Sequence, residues 1–528
     1  MGNAKLVGAR RTVFLGGAIA AVVGTACTLL LPDEPLTCSS DAECVKFPGT
    51  FCDLSVRECR TGTSTTDGGG DSSTGDSGTD GQVLPDGSDP CTAPNKPVVE
   101  LKGEIAANQS LTCDKDYVLV GRVSVLGPAV LTIAPNTTIY GDPRVDATTN
   151  SVGRLLITNG AKINAVGTAD KPIIFTSARK LGGVYAADGG TPGSGDWGGV
   201  YLLGEAPVNT ATGTSDKPSL APHGAFGGGK PNSDSGRIEY VRIEYGGALL
   251  PDGQDGTSIE LDGVGDATVI DHLMVRFSGN DCVGIFGGRV NLKHILCQYH
   301  TDDGIAWENG WTGKVQFLIV QARPGVDDNA SGLQGRSGAP PASPVSEPFI
   351  YNATFCGQNK VPGTALQFGL RAENFTKFHV FNSIFMGYQA AVDLRGTSYQ
   401  ADTQPDGGVI GAELKSSIAF GNTVANVAFD EVENTGGTSN PRFDDDNGFD
   451  EVAWWNTAGF NNSEGTPAIP KCFDPISPRF GAPAPINAAT AAQPPNDGFY
   501  DPSAKYVGAL RDQGDTWASG KWVLWSDK

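Results

Sequence analysis

Positive charge is scarce in this 528-residue chain. Lysine and arginine together number 38, against 59 aspartates and glutamates, which gives a formal net charge of -21. A chain with this balance repels DNA, RNA and anionic lipid surfaces. The composition therefore argues against nucleic acid as a partner and leaves cations and neutral glycans as possible ligands.

The spacings that mark metal and nucleotide sites are also missing. The sequence has no P-loop or dinucleotide fingerprint, and its histidines show neither HxxxH nor HxH spacing nor cysteine partners. A zinc site is therefore not expected. The five histidines are His223, His272, His294, His300 and His379.

Glycine and proline, in contrast, are abundant, with 72 and 34 residues. This composition predicts many turns rather than long helices. Hydrophobic residues make up 39% of the chain and charged residues 18%, so the chain is able to bury a large core. A β-rich protein is the first expectation.

The first 27 residues are typical of an export signal. Lys5, Arg10 and Arg11 form a basic start, and a short apolar run then ends at Cys27. The small residues "GTA" before Cys27 resemble the end of a bacterial lipoprotein signal, whose cysteine is acylated and anchors the protein to the membrane. Ordinary secretory cleavage and an uncleaved anchor are the alternatives. We expect an exported lipoprotein at the outer membrane or cell surface.

Three regions follow this signal. Residues 28–60 hold four cysteines in a span too small to bury a core, which predicts a small module with two disulfides. Residues 61–90 contain little to bury and predict a flexible, acidic linker. Residues 91–528 form the main domain, which ends in a C-terminal cap.

The cysteine count supports export. Ten cysteines remain once Cys27 is set aside, and exported proteins usually pair their cysteines. Cys282 and Cys297 fall on neighbouring coils of the repeat described below, so we expect them to pair, whereas the connectivity within the small module stays open. The candidates for disulfides are Cys38, Cys44, Cys52, Cys59, Cys91, Cys113, Cys282, Cys297, Cys356 and Cys472.

Short alternating apolar runs separated by Gly, Asn and Asp repeat from Cys113 onward. "VRFSGNDCVGIF" from Val275 aligns with "CQYHTDDGIAWE" from Cys297, and "LTIAPNTTIYG" from Leu131 aligns with "LLITNGAKINAVG" from Leu155. "VRIEYGG", "YNATFCG" and "FNSIFMG" are further copies. Repeats of this length predict a solenoid, in which stacked units bury one continuous apolar column. The predicted fold is all-β, a right-handed parallel β-helix, with a β-sandwich as the rival.

Several segments together resemble a known group of proteins. They include "GDWGGVYLLGEAPVN", "RIEYVRIEYGG", "GWTGKVQFLIVQ" and the closing "FYDPSAKYVGAL" with "WASGKW". They are similar to secreted or lipid-anchored bacterial proteins with a parallel β-helix of the pectate-lyase-like fold, which are described as lipoproteins or hypothetical proteins. The resemblance implies the fold and a surface location, and it brings no activity with it.

The alignment places carboxylates at one corner of the solenoid. Asp281 lies over Asp303, with Asp302 beside it, and Asp327 and Asp328 follow one repeat later. Carboxylates on neighbouring coils, about 4.8 Å apart, repel one another unless they are solvated, protonated or bridged by a cation. Ca²⁺ is therefore a candidate cofactor, and solvated turn aspartates that cap their own backbone are the alternative.

The same corner also bears a distant resemblance to β-helical polygalacturonase-like hydrolases. "NDCVGIF" followed by Cys297 matches the segment in which paired aspartates precede a bridged cysteine, so the resemblance implies Asp281 with Asp302 or Asp303 as acid and base. The match is incomplete, because His300 is followed by "TDDG" instead of the expected Gly-His-Gly motif. A lyase would need a Lys or Arg base beside the calcium, and Arg276, Arg289 and Lys293 are merely nearby in the sequence.

Tryptophans supply a third candidate feature. Trp307 and Trp311 could stack against sugar rings, and Trp454 with Trp455 could form a second aromatic surface. The alternative is that such residues close a solenoid end or fill a groove. The sequence therefore favours a surface lipoprotein that binds a glycan or a surface protein without cleaving it, with a polysaccharide hydrolase or lyase as the alternative.

Overall fold

The computed structural model describes residues 50–53, 58–61, 89–250, 252–254, 256–325, 330–338, 342–359, 367–395, 411–422 and 451–525. The chain divides into two compact units, 1–80 and 81–528, and the division falls inside the predicted linker. Strand β1 (Thr50–Asp53) pairs antiparallel with β2 (Glu58–Thr61) in the first unit, with Cys52 opposite Cys59. Cys27, Cys38, Cys44 and the side chains of Cys52 and Cys59 lie outside the described residues.

The second unit is built almost entirely of short strands. They are β3 Val98–Ile105, β4 Gln109–Leu111, β5 Asp116–Val125, β6 Val130–Ile133, β7 Thr138–Gly141, β8 Arg154–Ile157, β9 Lys162–Val166, β10 Ile173–Ser177, β11 Val200–Leu203, β12 Thr214–Asp216, β13 Ala225–Gly227, β14 Gly236–Glu244, β15 Ile259–Asp262, β16 Val269–Arg276, β17 Val283–Phe286, β18 Asn291–Gln298, β19 Ile305–Glu308, β20 Lys314–Gln321, β21 Ser331–Gly335, β22 Phe349–Cys356, β23 Phe368–Ala372, β24 Phe378–Phe381, β25 Ile384–Met386, β26 Ala390–Leu394, β27 Ala412–Lys415 and β28 Ile418–Phe420. Helical turns cover Pro90–Thr92, Ala178–Leu181, Gly183–Ala186 and Pro218–Leu220, and helix α1 covers Glu451–Trp455.

Parallel pairing wraps these strands, except β12 and β13, which pair antiparallel with each other, into a solenoid with three faces. Face A contains β4, β6, β9, the first halves of β14, β16, β18, β20 and β22, then β24 and β27. Face B contains the first halves of β3 and β5, then β7, β10, the second halves of β14 to β22, β25 and β28. Face C contains the second halves of β3 and β5, then β8, β11, β15, β17, β19, β21, β23 and β26. This architecture confirms the predicted parallel β-helix.

The core is the apolar column that the repeats predict. On face C, Val200, Ile259 and Val283 pair in register with Ile305, and all four side chains are buried. Equivalent columns on faces A and B join them in one continuous cluster. The column exists because a single coil cannot cover its own inner side, whereas stacked coils cover one another.

The corner between faces A and B repeats one unusual backbone conformation. Tyr240, His272, His294 and Phe317 have φ between 51° and 64°, a region that bulky residues rarely adopt. Their rings stack from coil to coil, with centroids 4.2 Å apart for Tyr240 and His272 and 4.9 Å apart for His294 and Phe317. Stacking of these rings along the solenoid axis offsets part of the energetic cost of the positive-φ backbone conformation.

The C-terminal segment covers face B instead of only capping an end. Outward residues of face B, including Met274, Leu296 and Ile319, form an apolar cluster with residues of 469–525 such as Trp522. Helix α1 precedes this segment, and its Trp454 and Trp455 are buried beside the last described coils.

Three disulfides are present in the second unit. They join Cys91 to Cys113, Cys282 to Cys297, and Cys356 to Cys472. Cys282 and Cys297 lie in the main core, and the bond from Cys356 to Cys472 joins face B to the C-terminal segment. The predicted pairing of Cys282 with Cys297 is confirmed.

The register tests the repeat alignments directly. Val275 pairs with Cys297, and Tyr351 pairs with Phe381, as the sequence alignment predicts. The alignment of Leu131 with Leu155 is wrong, because Leu131 pairs with Ile163 on face A. The leucine-rich strands of faces A and C are alike in sequence, so similarity alone matches the wrong pair. No helix among the described residues is both long and apolar enough to cross a membrane.

Candidate functional site

The acidic corner lies where face B turns into face C. Asp281, Asp302 and Asp303 each offer an oxygen within 4.8 Å of the others. The Asp303 N–H donates to Asp281 Oδ1 at 2.9 Å, and the Ser331 N–H donates to Asp303 Oδ1 at 2.7 Å. Each of these two carboxylates therefore holds the turn of the next coil, which supports the turn-capping alternative.

Burial makes Asp303 unlike an ordinary surface aspartate. Its side chain is 1% exposed, and burial raises the pKa of Asp303 to about 6 although the Arg371 guanidinium opposes the shift. Arg371 approaches Asp303 Oδ2 at 4.0 Å from two coils further along face C. Asp327 and Asp328, the other predicted calcium ligands, lie outside the described residues.

The three aspartates bring together half or fewer of the ligands that calcium requires. Ca²⁺ takes about six to eight oxygen ligands, whereas three carboxylates converge here and two of them already accept backbone N–H groups. The donor chemistry suits a hard cation, and nothing in the described geometry requires one.

His300 lies at the same corner and is fully buried. Its Nδ1 lies 2.7 Å from the Asp302 carbonyl oxygen, so Nδ1 carries the proton and donates it. Among the described residues, Nε2 has no hydrogen-bond partner. Burial lowers the pKa of His300 to about 4, because a proton on Nε2 would place an unsatisfied charge in the interior.

The tryptophans predicted to stack on sugars face inward. Trp307 is 1% exposed and Trp311 is not exposed. The Trp307 indole donates to the Thr376 hydroxyl, and the Trp311 indole donates to the Val290 carbonyl. The stacking prediction for this pair is wrong, because both rings fill the core. Trp454 and Trp455 are buried as well and close the end of the solenoid.

A different aromatic surface is open to solvent. We call it the corner groove, a cavity of about 760 Å³ at the turn from face B to face C, next to the acidic corner. Half-buried Tyr245 and Phe277 line it, and their rings stack with centroids 5.3 Å apart. Tyr299 meets Phe277 edge-on, with ring centroids 5.4 Å apart, but it is buried and does not line the groove. The two lining rings follow one another on neighbouring coils of the solenoid.

Cations gather around these rings. The lining includes Lys180, Arg276 and Arg323. The Arg276 guanidinium lies 4.6 Å from the Phe277 ring centroid, and Lys180 Nζ lies 5.2 Å from that of Tyr245. Arg323 is exposed and donates to the Ser194 hydroxyl at 3.3 Å, without an ion pair among the described residues. The surface therefore suits a ligand that is both flat and anionic.

One carboxylate balances part of this charge. Glu244 accepts hydrogen bonds from Lys180, Arg242 and Thr176. Burial opposes ionisation, yet the two cations lower the pKa of Glu244 to about 2. Glu244 therefore offsets one of the two charges of Lys180 and Arg242, and the exposed Arg323 adds a charge that no carboxylate among the described residues offsets.

The residues considered as a lyase base lie away from the acidic corner. Arg289 pairs with Asp266 at 3.4 Å, and Lys293 donates to the Phe499 carbonyl at 2.8 Å. Both follow the turn from face C to face A, a different corner from that of Asp281. Only Arg276 lies near the acidic corner, and its guanidinium rests on the Phe277 ring.

A second polar cluster, which was not predicted from the sequence, lies at the corner between faces A and B. Asp271 Oδ1 lies 2.9 Å from His272 Nδ1 and 2.7 Å from His294 Nδ1, and the two imidazoles stack at 4.2 Å. These three residues could contribute one metal ligand each. Both Nδ1 atoms already contact Asp271, so the geometry is that of a hydrogen-bonded ladder. The signal in the sequence was the 22-residue interval from His272 to His294, which equals the repeat.

Comparison with known proteins agrees with this architecture. Residues 103–461 match the family described as the pectate-lyase-like β-helix domain. No curated protein and no solved structure is similar enough to the chain to count as a match. The matched region spans the three-faced solenoid, the acidic corner and most of the corner groove. The chain therefore belongs to the pectate-lyase-like β-helix family.

Proposed function

We propose that this protein binds an acidic polysaccharide in the corner groove and does not cleave it. The observation that carries the proposal is the stack of Tyr245 and Phe277, flanked by the exposed charge of Arg323. The half-buried rings offer an apolar contact to a sugar ring, and an arginine fork binds carboxylate or sulfate groups.

The net charge of the chain alone favours neutral glycans, and the groove changes that preference. A local cationic strip attracts an anionic chain even when the rest of the protein is acidic, because interactions between exposed charges are screened beyond roughly 8 to 10 Å. Within that distance Arg323 acts on the ligand more strongly than remote carboxylates do, and in the neighbouring acidic corner Asp281 and Asp303 each accept a backbone N–H group. The ligand class follows from the charge of the groove.

Binding without cleavage is favoured by the state of the neighbouring carboxylates. An inverting hydrolase separates its two carboxyl groups by about 6.5 to 9.5 Å and a retaining one by about 5 to 5.5 Å, whereas Asp281, Asp302 and Asp303 each bring one oxygen within 4.8 Å of the others. Asp303 is buried, and Asp281 and Asp303 each use an oxygen to hold a turn. Cleavage by an acid and base drawn from these three remains the alternative function.

We also propose that the protein is exported and is attached to the membrane by a lipid anchor at Cys27. The order of basic, apolar and small residues before this cysteine supports the anchor, and the three disulfides of the second unit suit an oxidising compartment. Replacement of Cys27 by Ser should release the protein from membranes. Recovery of the unaltered protein in the soluble fraction, without an acylated N-terminus by mass spectrometry, would contradict the anchor.

The binding proposal is tested with a matched pair of polymers. Polygalacturonate and the same polymer after carboxyl reduction differ only in charge, so titration of each into the purified protein isolates the contribution of the anionic groups. We expect binding to the acidic polymer, weakened by added salt, and no shortening of the polymer by size-exclusion chromatography. Equal binding of both polymers would refute the charged groove as the site, and shortening would favour the hydrolase alternative.

A further inference from the structure

A second cluster of charged groups is buried on the outer side of face C, at a distance from the function proposed above. Lys217 lies in the segment 204–235, which crosses over this face, and its Nζ contacts Glu260 and lies 3.5 Å from Asp262 Oδ2. The three side chains are 16%, 1% and 0% exposed. Glu260 and Asp262 are two residues apart on β15 and therefore point to the same side.

Apolar groups surround the lysine. Its Nζ lies 4.1 Å from the Phe286 ring centroid and 6.0 Å from that of Tyr201. Tyr201 belongs to an apolar cluster in which residues of the segment 204–235, such as Leu220 and Phe226, pack against the outer side of face C. An amine and two carboxyl groups are thus held together in a site with little water.

The two carboxyl groups differ in their contacts. Glu260 is bonded on both sides, with Oε1 contacting Lys217 and Oε2 accepting the Thr257 hydroxyl at 3.2 Å. Asp262 has a looser contact, with Oδ2 3.5 Å from Lys217 Nζ and with neither oxygen in a hydrogen bond of ordinary geometry among the described residues. This single contact does not offset the cost of burying the carboxylate, so Asp262 favours its neutral acid form. Burial accordingly raises the pKa of Asp262 to about 6 and lowers the pKa of Lys217.

We propose that Lys217 and Asp262 join in an intramolecular amide bond, with Glu260 as the proton carrier. The neutral Nζ attacks Cγ of the protonated Asp262 carboxyl group and forms the C–N bond. Glu260 takes a proton from the nitrogen and delivers it to the departing hydroxyl. The C–O bond then breaks, water leaves and Glu260 is restored, so the step needs no oxidant, reductant or co-reactant.

The environment favours the bond once it forms. An amine and a carboxylate in a dry site keep two charges that must be desolvated, whereas the amide is neutral. The bond would fasten the segment 204–235 to the β-helix, so that this segment stays in place independently of its apolar packing. The pectate-lyase-like solenoid would thereby contain an amide cross-link in addition to its disulfides.

The test is peptide mass spectrometry of the reduced, trypsin-digested wild-type protein. Trypsin does not cut before proline, so Lys217 falls in the peptide 181–237 and Asp262 falls in the peptide 243–276, neither of which contains cysteine. We expect one linked species whose mass is the sum of the two peptides less one water. Fragment ions should place the link between Lys217 and Asp262.

Two variants provide the controls. Lys217→Arg keeps the cation but cannot form this amide, so its tryptic digest should contain the two peptides separately. Glu260→Gln removes the proton carrier and should leave most of the chain unlinked. Separate wild-type peptides at their full masses would overturn the proposal and leave an ion pair, and a link from Lys217 to Glu260 would overturn the roles assigned to the two carboxyl groups.

Discussion

Acidification should destabilise the β-helix through His300, and the effect can be isolated with His300→Gln. The pKa of His300 is lowered by burial to about 4, whereas the unfolded chain titrates near its ordinary value. The unfolded state therefore binds the proton first as the pH falls. The stabilisation is fully present above the ordinary histidine pKa of about 6.5 and is lost progressively as the pH falls towards the folded-state pKa.

The magnitude follows from the separation of the two pKa values. One pKa unit corresponds to about 1.4 kcal/mol, so an unfolded-state pKa of about 6.5 and a folded-state pKa of about 4 predict a loss of roughly 2 kcal/mol between pH 7.5 and pH 5. His300→Gln cannot undergo this titration. Its free energy of unfolding should therefore fall by about 2 kcal/mol less than that of the wild type over this interval.

Urea denaturation at matched ionic strength, with the disulfides intact, measures this difference. A constant loss of stability in His300→Gln at every pH reflects altered packing and does not affect the test. Asp303 titrates in both proteins and cancels in the comparison. His223→Gln, which removes a surface histidine paired with Glu104, controls for the loss of a histidine. Parallel stability curves for wild type and His300→Gln would refute the assignment of a buried, neutral imidazole.

Three further perturbations test the framework around the site. Replacement of Cys282 and Cys297 by alanine should lower the free energy of unfolding by about 3 kcal/mol, the entropic value for a loop of this size, and thiol labelling of the unreduced wild type should miss both positions. The melting temperatures in Ca²⁺ and in EDTA should be the same. A rise in melting temperature with Ca²⁺ that Asp303→Asn abolishes would instead support a calcium site. Gly332→Ala should lower the free energy of unfolding by about 1 to 3 kcal/mol, because its Cβ would lie 2.6 Å from a backbone oxygen and 2.7 Å from a core phenylalanine ring. Gly465→Ala is the control and should have the melting temperature of the wild type, because its Cβ would meet nothing within 4 Å.

The fold was predictable because its signal is local and periodic. The 22-residue interval from Val275 to Cys297 is read directly from the sequence, and the structure pairs these two residues. The same interval separates His272 from His294, but a search for the short spacings of metal-binding histidines overlooks it. Period alone also cannot tell one face from another, which is why Leu131 was matched to Leu155 in place of Ile163.

The site was less predictable because side-chain direction at a corner depends on the turn. Trp307 follows the alternation of β19 into the core, and Trp311 turns inward after a Gly, so neither faces a ligand. Lys180, Phe277 and Arg323 are far apart in sequence and meet only when the coils stack. The net charge of -21 conceals this local cationic strip. The contact of Lys217 with β15 is likewise long-range and leaves no motif.

Calorimetric titration of acidic polysaccharide into groove variants tests the proposed binding most directly. Wild-type protein, Arg323→Gln and Phe277→Ala are compared, with Arg511→Gln as a control that removes an exposed arginine outside the groove lining. Loss of a charge-assisted contact is worth about 1.5 to 3 kcal/mol, so Arg323→Gln should weaken binding about tenfold or more, and Phe277→Ala should weaken it several-fold, while Arg511→Gln binds as the wild type does. Unchanged affinity in both groove variants, with every protein folded, would contradict the account.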